Sequence, residues 1–263
     1  MKKLSIALVL ALGIYSCKKT VDPPKNGSTE SKTEQVESFK IDSVKVADSV
    51  VVSKTLKSAK SVQVLVFPTL KNKTVLDSIY APTQLKFEGY DKASMQHYLE
   101  KEVKTALSQA KSGDTSYQPD FEQTWWDNSS MKLVSNTNDI LTLSYFGDGF
   151  SGGAHGYYFE NYKVFDLKDN KVISQNDVFN NPKDAKWSKI LMDHFVNKDQ
   201  KEMLLVDKIE LNNNFYFDKD QITFVYNQYE ITAYAAGVVK ISVPFKDIKA
   251  DLKESFVQRT NSK

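Results

Sequence analysis

Residues 148–166 read DGFSGGAHGYYFENYKVFD, the densest glycine cluster in the chain. Within it, Gly149-Phe150-Ser151-Gly152-Gly153 fits the G-x-S-x-G pattern of serine hydrolases, and His155 follows closely. Two folds compete for this stretch. A nucleophile elbow needs a strand, a sharp turn and then a helix that lifts the serine. A hairpin needs two strands joined by residues that tolerate positive φ, which glycine does without steric cost. After Gly153 the chain runs through Tyr157, Tyr158, Phe159, Tyr162, Val164 and Phe165, an aromatic and β-branched composition that suits a strand. Triad partners are also poorly placed. His155 shares the serine's own loop, His97 lies off the apolar stripe of its helix, and His194 lies on the polar side of another. The stretch therefore predicts a hairpin, with Gly152 and Gly153 as its structural turn and no catalytic residue.

The neighbouring segments extend that reading. FEQTWWDNSSMKLVS and DILTLSYFG precede the hairpin as two antiparallel strands, and KDNK (168–171) turns the chain after it. Upstream, SVQVLVFPTL (61–70) is a strand with Val62, Val64 and Val66 on one face, ended by Pro68. Asp91 caps a helix whose apolar stripe runs through Met95, Tyr98, Leu99, Val103, Ala106, Leu107 and Ala110, and Gly113 stops it. Downstream, Pro182 opens a second amphipathic helix through Leu204, with Trp187, Ile190, Leu191 and Phe195 facing inward. FYFDKDQITFVY is a hairpin, VVKISVPF a strand, and KDIKADLKESFV a C-terminal helix. Strands and helices come in blocks, which predicts an α+β class: antiparallel hairpins packed with about three helices.

The chain has 263 residues, 41% of them hydrophobic and 12% aromatic, enough for a substantial core. Its start, MKKLSIALVLALGIYSCKKT, has a basic n-region and an apolar run too short to span a bilayer. Ser16 before Cys17 resembles the lipobox of bacterial lipoproteins, whose cysteine takes a diacylglycerol, although Tyr15 is bulkier than usual there. Cys17 is the lone cysteine, which leaves no disulfide, redox pair or cysteine-held zinc. Without Lys2 and Lys3, the 35 basic residues become 33 and balance the 33 acidic ones. Arg259 is the sole arginine, so neither the arginine forks nor the basic stripe of a nucleic-acid reader is present. Three histidines 58 and 39 residues apart do not suggest a metal site, and no cofactor-binding motif occurs. Asp114, Asp120, Asp127 and Glu160 are carboxylates able to pair in space as in glycosidases, although solvated acids are the default reading.

These signals divide the chain into a lipoprotein signal peptide (1–16), a tether (17–58), an N-terminal α+β subdomain (59–120) and a C-terminal α+β domain (121–263). The tether is rich in Pro, Ser, Thr, Lys and Glu and has little to bury, with a candidate edge strand at 41–54. Its flexible part spans roughly 25 Å end to end. The expected location is the bacterial envelope, lipid-anchored to the outer membrane on its periplasmic face.

Two stretches carry a family resemblance. LSYFGDGFSGGAHGYYFENYKVFDLKDNKVISQNDVF (143–179) resembles a segment built on a GGAH turn, and NFYFDKDQITFVYNQYEITAYAAGVVKISVPFKDI (214–248) resembles its partner hairpin, loop and strand. Both are similar to the RsiV-type extracytoplasmic domain, the ectodomain of lysozyme-sensing anti-sigma factors and an accessory domain of some peptidoglycan deacetylases. The anti-sigma factors' transmembrane helix and the deacetylases' catalytic motifs are not seen in this chain. The resemblance implies a binding module for a lysozyme-type protein or a peptidoglycan glycan, not an enzyme. Candidate ligand-binding residues are Ser151, His155, Tyr229 and Tyr234. Trp125 and Trp126 are further aromatics, and since strand neighbours face opposite ways, at least one belongs in the core. The alternatives are a carboxylate-dependent envelope hydrolase and a structural lipoprotein that holds envelope partners.

Overall fold

The computed structural model describes residues 39–113 and 119–260. The expected signal peptide, the anchor Cys17, the tether up to residue 38 and Asp114 lie outside those residues. The tether does not extend to 58. Strand β1 spans Asp42–Val51 and β2 spans Leu56–Val66, antiparallel from Asp42↔Val66 to Val51↔Lys57. This edge strand holds because Val44 is buried and Val46 and Val50 pack against the same core, while the polar residues between them face water.

Six strands form one sheet in the order β1-β2-β3-β4-β5-β6, with β3 Gln123–Thr137, β4 Ile140–Phe150, β5 Tyr157–Asp166 and β6 Lys171–Ile173. Every pairing is antiparallel except β2 with β3. A parallel pair needs a crossover. Helices α1 (Lys73–Tyr80) and α2 (Lys92–Ser112) provide it and cover one face of the sheet. The expected domain boundary at 120 therefore cuts through a single sheet, and 38–263 is one compact unit.

The α2 helix follows the sequence pattern. Asp91 accepts from the Ser94 N–H at 3.0 Å, the Gly113 N–H closes on the Gln109 carbonyl, and Met95, Leu99, Val103 and Leu107 are buried. Each such side chain contributes about 1.5–3 kcal/mol through burial. The β3–β4 turn is a two-residue hairpin with Asn138 at φ 52° and Asp139 at φ 59°, the left-handed geometry that Asn and Asp tolerate best among residues with a side chain.

A second sheet, β7 (Phe215–Phe217), β8 (Gln221–Tyr226) and β9 (Val239–Pro244), builds a second core with α4 (Lys186–His194) and α6 (Glu254–Thr260). Between the sheets run the single turns α3 (Gln175–Val178) and, after α4, α5 (Lys198–Lys201). The helix expected from Pro182 to Leu204 is thus broken. It starts at Lys186, and after Phe195 the side chain of Asn197 accepts from the Gln200 N–H at 3.1 Å and caps a new turn. The expected C-terminal helix is likewise two 3₁₀ turns followed by α6. Four helices of seven residues or more are present among the described residues, and the class is α+β, as expected.

Asparagines join the two sheets. Strand β6 covers only Val164–Asp166 of β5, so the first half of β5 has an open edge. The N–H groups of Glu160 and Tyr162 donate to the side-chain oxygens of Asn227 (2.8 Å) and Asn214 (2.7 Å), and Asn214 Nδ2 donates to the Glu160 carbonyl at 2.9 Å. Side-chain amides thus stand in for a neighbouring strand.

Candidate functional site

Strand β5 follows the glycine cluster directly, with Gly149 paired to Tyr157, so Ser151 lies in a hairpin loop and not at a helix start. Gly152 and Gly153 sit at φ 91° and 90°, which an L-residue rarely adopts. This bend carries His155 out to the tip. Its Nδ1 lies 2.8 Å from the Gly156 carbonyl oxygen, and no hydrogen bond links it to Ser151 among the described residues.

The loop 227–237 meets that tip. The Tyr234 ring stacks on His155 at 3.9 Å and 25°, and Tyr229 packs on Tyr234 at 6.0 Å. Three of the four candidate ligand residues thus form one aromatic ridge from two loops far apart in sequence. Tyr229 is 60% exposed, and His155 is exposed as well. Ser151 is not part of it and lines a groove beside Trp125 and Trp126 on the other side of the hairpin.

Main-chain bonds fix the second loop. Tyr229 N–H donates to the Thr232 carbonyl (3.1 Å), Leu205 N–H to Ile231 (2.9 Å) and Ala233 N–H to Met203 (3.0 Å). The last two bring the exposed side chains of Met203 and Leu205 to the flank of the loop. Gly237 closes it at φ 73°, beneath the Tyr158 hydroxyl, where a Cβ would lie 2.5 Å from that oxygen. The loop is also under strain. Tyr229 has φ 65°, costly for a bulky residue, and buried Gln228 Nε2 and Thr232 Oγ1 have no hydrogen-bond partner. Sequence reasoning missed Gln228, Thr232, Met203 and Leu205. Only the polar pair Asn227-Gln228 at a strand end hinted at special backbone there.

The other expectations resolve individually. Neither tryptophan enters a core: Trp125 lies half-buried under Gly152, and Trp126 is exposed, donating to Asp148 at 2.7 Å. The carboxylates do not converge. Asp127 is paired with Lys60 on the helix-covered face, Glu160 with Lys240 at 2.5 Å on the opposite face, and Asp120 is exposed. His194 bonds the Ile190 carbonyl and Asp247, and His97 is exposed on α2. Among the described residues no group of three or more His, Cys, Asp or Glu is placed to hold a metal, and no helix is long and apolar enough to cross a membrane.

Residues 89–246 match the family described as "Protein of unknown function (DUF3298)". Two solved structures share the fold. A DUF3298 protein from Bacteroides fragilis is 20% identical with a TM-score of 0.70, covering 86% of this chain and 98% of that one. A DUF3298 protein from Pseudomonas aeruginosa is 16% identical with a TM-score of 0.55, covering 82% and 95%. No curated protein matches the chain.

Proposed function

The chain belongs to the DUF3298 family, and from that premise we propose that it is a binding module of the bacterial envelope, anchored by lipid at Cys17, whose aromatic ridge docks on a lysozyme-type protein. The observation that carries this reading is the stack of His155, Tyr234 and Tyr229, set on a strained loop with two unsatisfied polar atoms. Strain and unpaired polar groups persist where surrounding structure holds them for a purpose. Tyrosines combine a large rigid contact area with a polar tip, which suits a protein interface. An exposed aromatic stack also suits docking against the surface of a protein partner. The finer resemblance to RsiV-type ectodomains, carried by the GGAH turn and the YEI…YAAG loop, points to the same partner. Both motifs are the segments that form the ridge.

The hydrolase alternative draws no support from Asp127 and Glu160, which lie on opposite faces and are each neutralised by a lysine. The scaffold alternative predicts an envelope partner recovered by crosslinking in cells. The deciding experiment is a titration of the immobilised full-length protein with lysozyme, alongside a pull-down with purified sacculi. Binding to lysozyme is expected, and Tyr234→Ala should weaken it at least tenfold, which is about 1.4 kcal/mol. Failure of lysozyme to bind ends this reading, and sacculi binding in its place would favour a peptidoglycan glycan as the ligand.

A further inference from the structure

The helix layer covers only part of the large sheet. Helix α2 lies over β1 and β2, and α1 reaches β4 where the Tyr145 hydroxyl donates to the Ile79 carbonyl at 2.7 Å. Beside them the same face opens into a cleft of about 370 Å³, within the range of about 300–1,000 Å³ typical of small-molecule sites. Buried Val62, Met131 and Tyr145 form its floor, and half-buried Leu85 and Phe159 its walls. Gly147 lets the Phe159 ring lie against the sheet, since a Cβ there would meet the ring at 2.5 Å. At one end, Lys60, Asp127 and the Tyr157 hydroxyl form a hydrogen-bonded row that separates this cleft from the groove lined by Ser151.

The polar groups of the cleft are unequally satisfied. One basic and two acidic residues line it, a net charge of −1. Lys60 and Asp127 neutralise each other. Burial pulls the Asp127 carboxyl upward, but Lys60 and Tyr157 outweigh it and hold it below the usual carboxylate range, so the pair stays ionised. That leaves Glu102 of α2, half-buried and without an ion-pair partner among the described residues. The side chains of Gln84 and Ser129 also have no hydrogen-bond partner among the described residues. Gln84 is held at φ 60°, a backbone geometry that glycine or asparagine would adopt at less cost. Strain kept at a long amide beside an open cleft points to use of its side chain.

We propose that this cleft binds a small organic cation, an amine carried on an apolar ring, with Glu102 as the counter-ion of its ammonium group. An ammonium offers donors and no acceptor, and the cleft answers with a free carboxylate, an amide carbonyl and a hydroxyl oxygen from Glu102, Gln84 and Ser129. The ring is received by Phe159, Leu85 and Met131. A neutral ring would fill the same floor without the charge-assisted bond. An anion would meet a lining that is already negative and leave Glu102 unpaired. The cleft shares no residue with the aromatic ridge, so it stands or falls separately from the proposed docking on a protein.

The test uses three compounds of one shape and different charge: phenethylamine, phenethyl alcohol and phenylacetate. Each is titrated into the full-length protein carrying isotope-labelled methionine methyl groups. The Met131 methyl resonance, assigned with Met131→Leu, reports occupancy of this cleft alone. Saturable movement of that resonance by the amine is expected, at least fivefold weaker binding of the alcohol, and none of the acid. Glu102→Gln should bring the amine down to the affinity of the alcohol, and Ser129→Phe should fill the cleft and weaken both, with melting temperatures recorded as the check on folding. Tyr234→Ala should leave the amine titration unchanged, which keeps this site distinct from the ridge. Absence of saturation by the amine in the millimolar range overturns the proposal, and so does a preference for the amine that survives Glu102→Gln.

Discussion

Replacing the sole arginine by alanine should destabilise the protein by about 3 kcal/mol at neutral pH. Arg259, in α6, donates from Nε to Asp166 Oδ2 at 2.7 Å and from Nη2 to Oδ1 at 2.6 Å, and its Nη1 donates to the Asn138 carbonyl at 2.8 Å. The Asp166 side chain is only 1% exposed. Breaking one partner of such a pair costs about 3–5 kcal/mol, because an uncompensated charge stays buried. Asp166 also accepts from the N–H groups of Lys168 (3.0 Å) and Asp169 (3.1 Å), which remain in the variant and place the loss at the lower end. The pH dependence is diagnostic. Burial pulls the Asp166 carboxyl upward, but Arg259 and those two N–H groups hold it below the usual carboxylate range. Its stabilising contribution is therefore complete above the unfolded value of about 3.9 and fades as pH falls through the lower folded value. Without Arg259 the folded carboxyl loses a main lowering influence and titrates above its value in the natural chain, so protonation on acidification relieves the variant. The stability gap between the two proteins should be widest at neutral pH and narrow as pH falls below about 4, toward about pH 3. Urea unfolding at both pH values measures it. A gap below about 1 kcal/mol at neutral pH, or one that stays constant on acidification, refutes the reasoning.

Other perturbations probe other links. Asn214→Ala leaves the Tyr162 N–H and the Glu160 carbonyl of β5 without their partner, and about 2 kcal/mol of stability should be lost in denaturant melts. Gly149→Val forces the Tyr157 ring off the sheet, since a Cβ there would lie 2.6 Å from it; about 1–3 kcal/mol of overpacking is expected in denaturant melts. Gly153→Ala has no side chain within 4 Å to meet, so its effect, about 1–2 kcal/mol in a thermal melt, comes from backbone strain alone. Cys17→Ser should abolish incorporation of labelled fatty acid and move the protein from the membrane fraction to the soluble one.

Much of the fold was legible because local signals and burial agree. Asp91, the valines of β2 and the apolar stripe of α2 each specify a local element that tertiary packing then reinforces. The glycine pair at 152–153 likewise gave the hairpin through its backbone alone. What failed to show in the sequence depends on partners distant along the chain. Strand β1 shows in the sequence as a candidate edge strand at 41–54, but its short, polar alternation does not mark where the tether ends, which pairing with β2 decides. The broken helix after His194 is decided by Phe195 seeking the second core while Asn197 caps a fresh turn, a competition that apolar periodicity cannot register. At the candidate site, residue types marked His155, Tyr229 and Tyr234, but their stacking depends on two loops meeting in space. Ser151 shared the motif and the loop, yet the double-glycine bend turns it to the opposite side.

The β4–β5 hairpin serves two surfaces because side chains alternate across a strand. Tyr157 and Phe159 lie over Gly149 and Gly147 on the helix-covered face, whereas Tyr158 and Glu160 turn toward Gly237 and Lys240 on the other. A slip of one residue would exchange the two sets and dismantle both faces at once. The pairing of β5 with β4 alone does not secure it, since an antiparallel ladder has an equivalent set of bonds one step along. The second restraint comes from the other edge, where Asn227 and Asn214 accept from Glu160 and Tyr162 and ignore the intervening residue. Those asparagines are not members of the ridge, yet they determine which side chains each face displays. Asn214 and Asn227, which by themselves mark neither core nor site, are therefore the residues that fix which face of the hairpin each side chain joins.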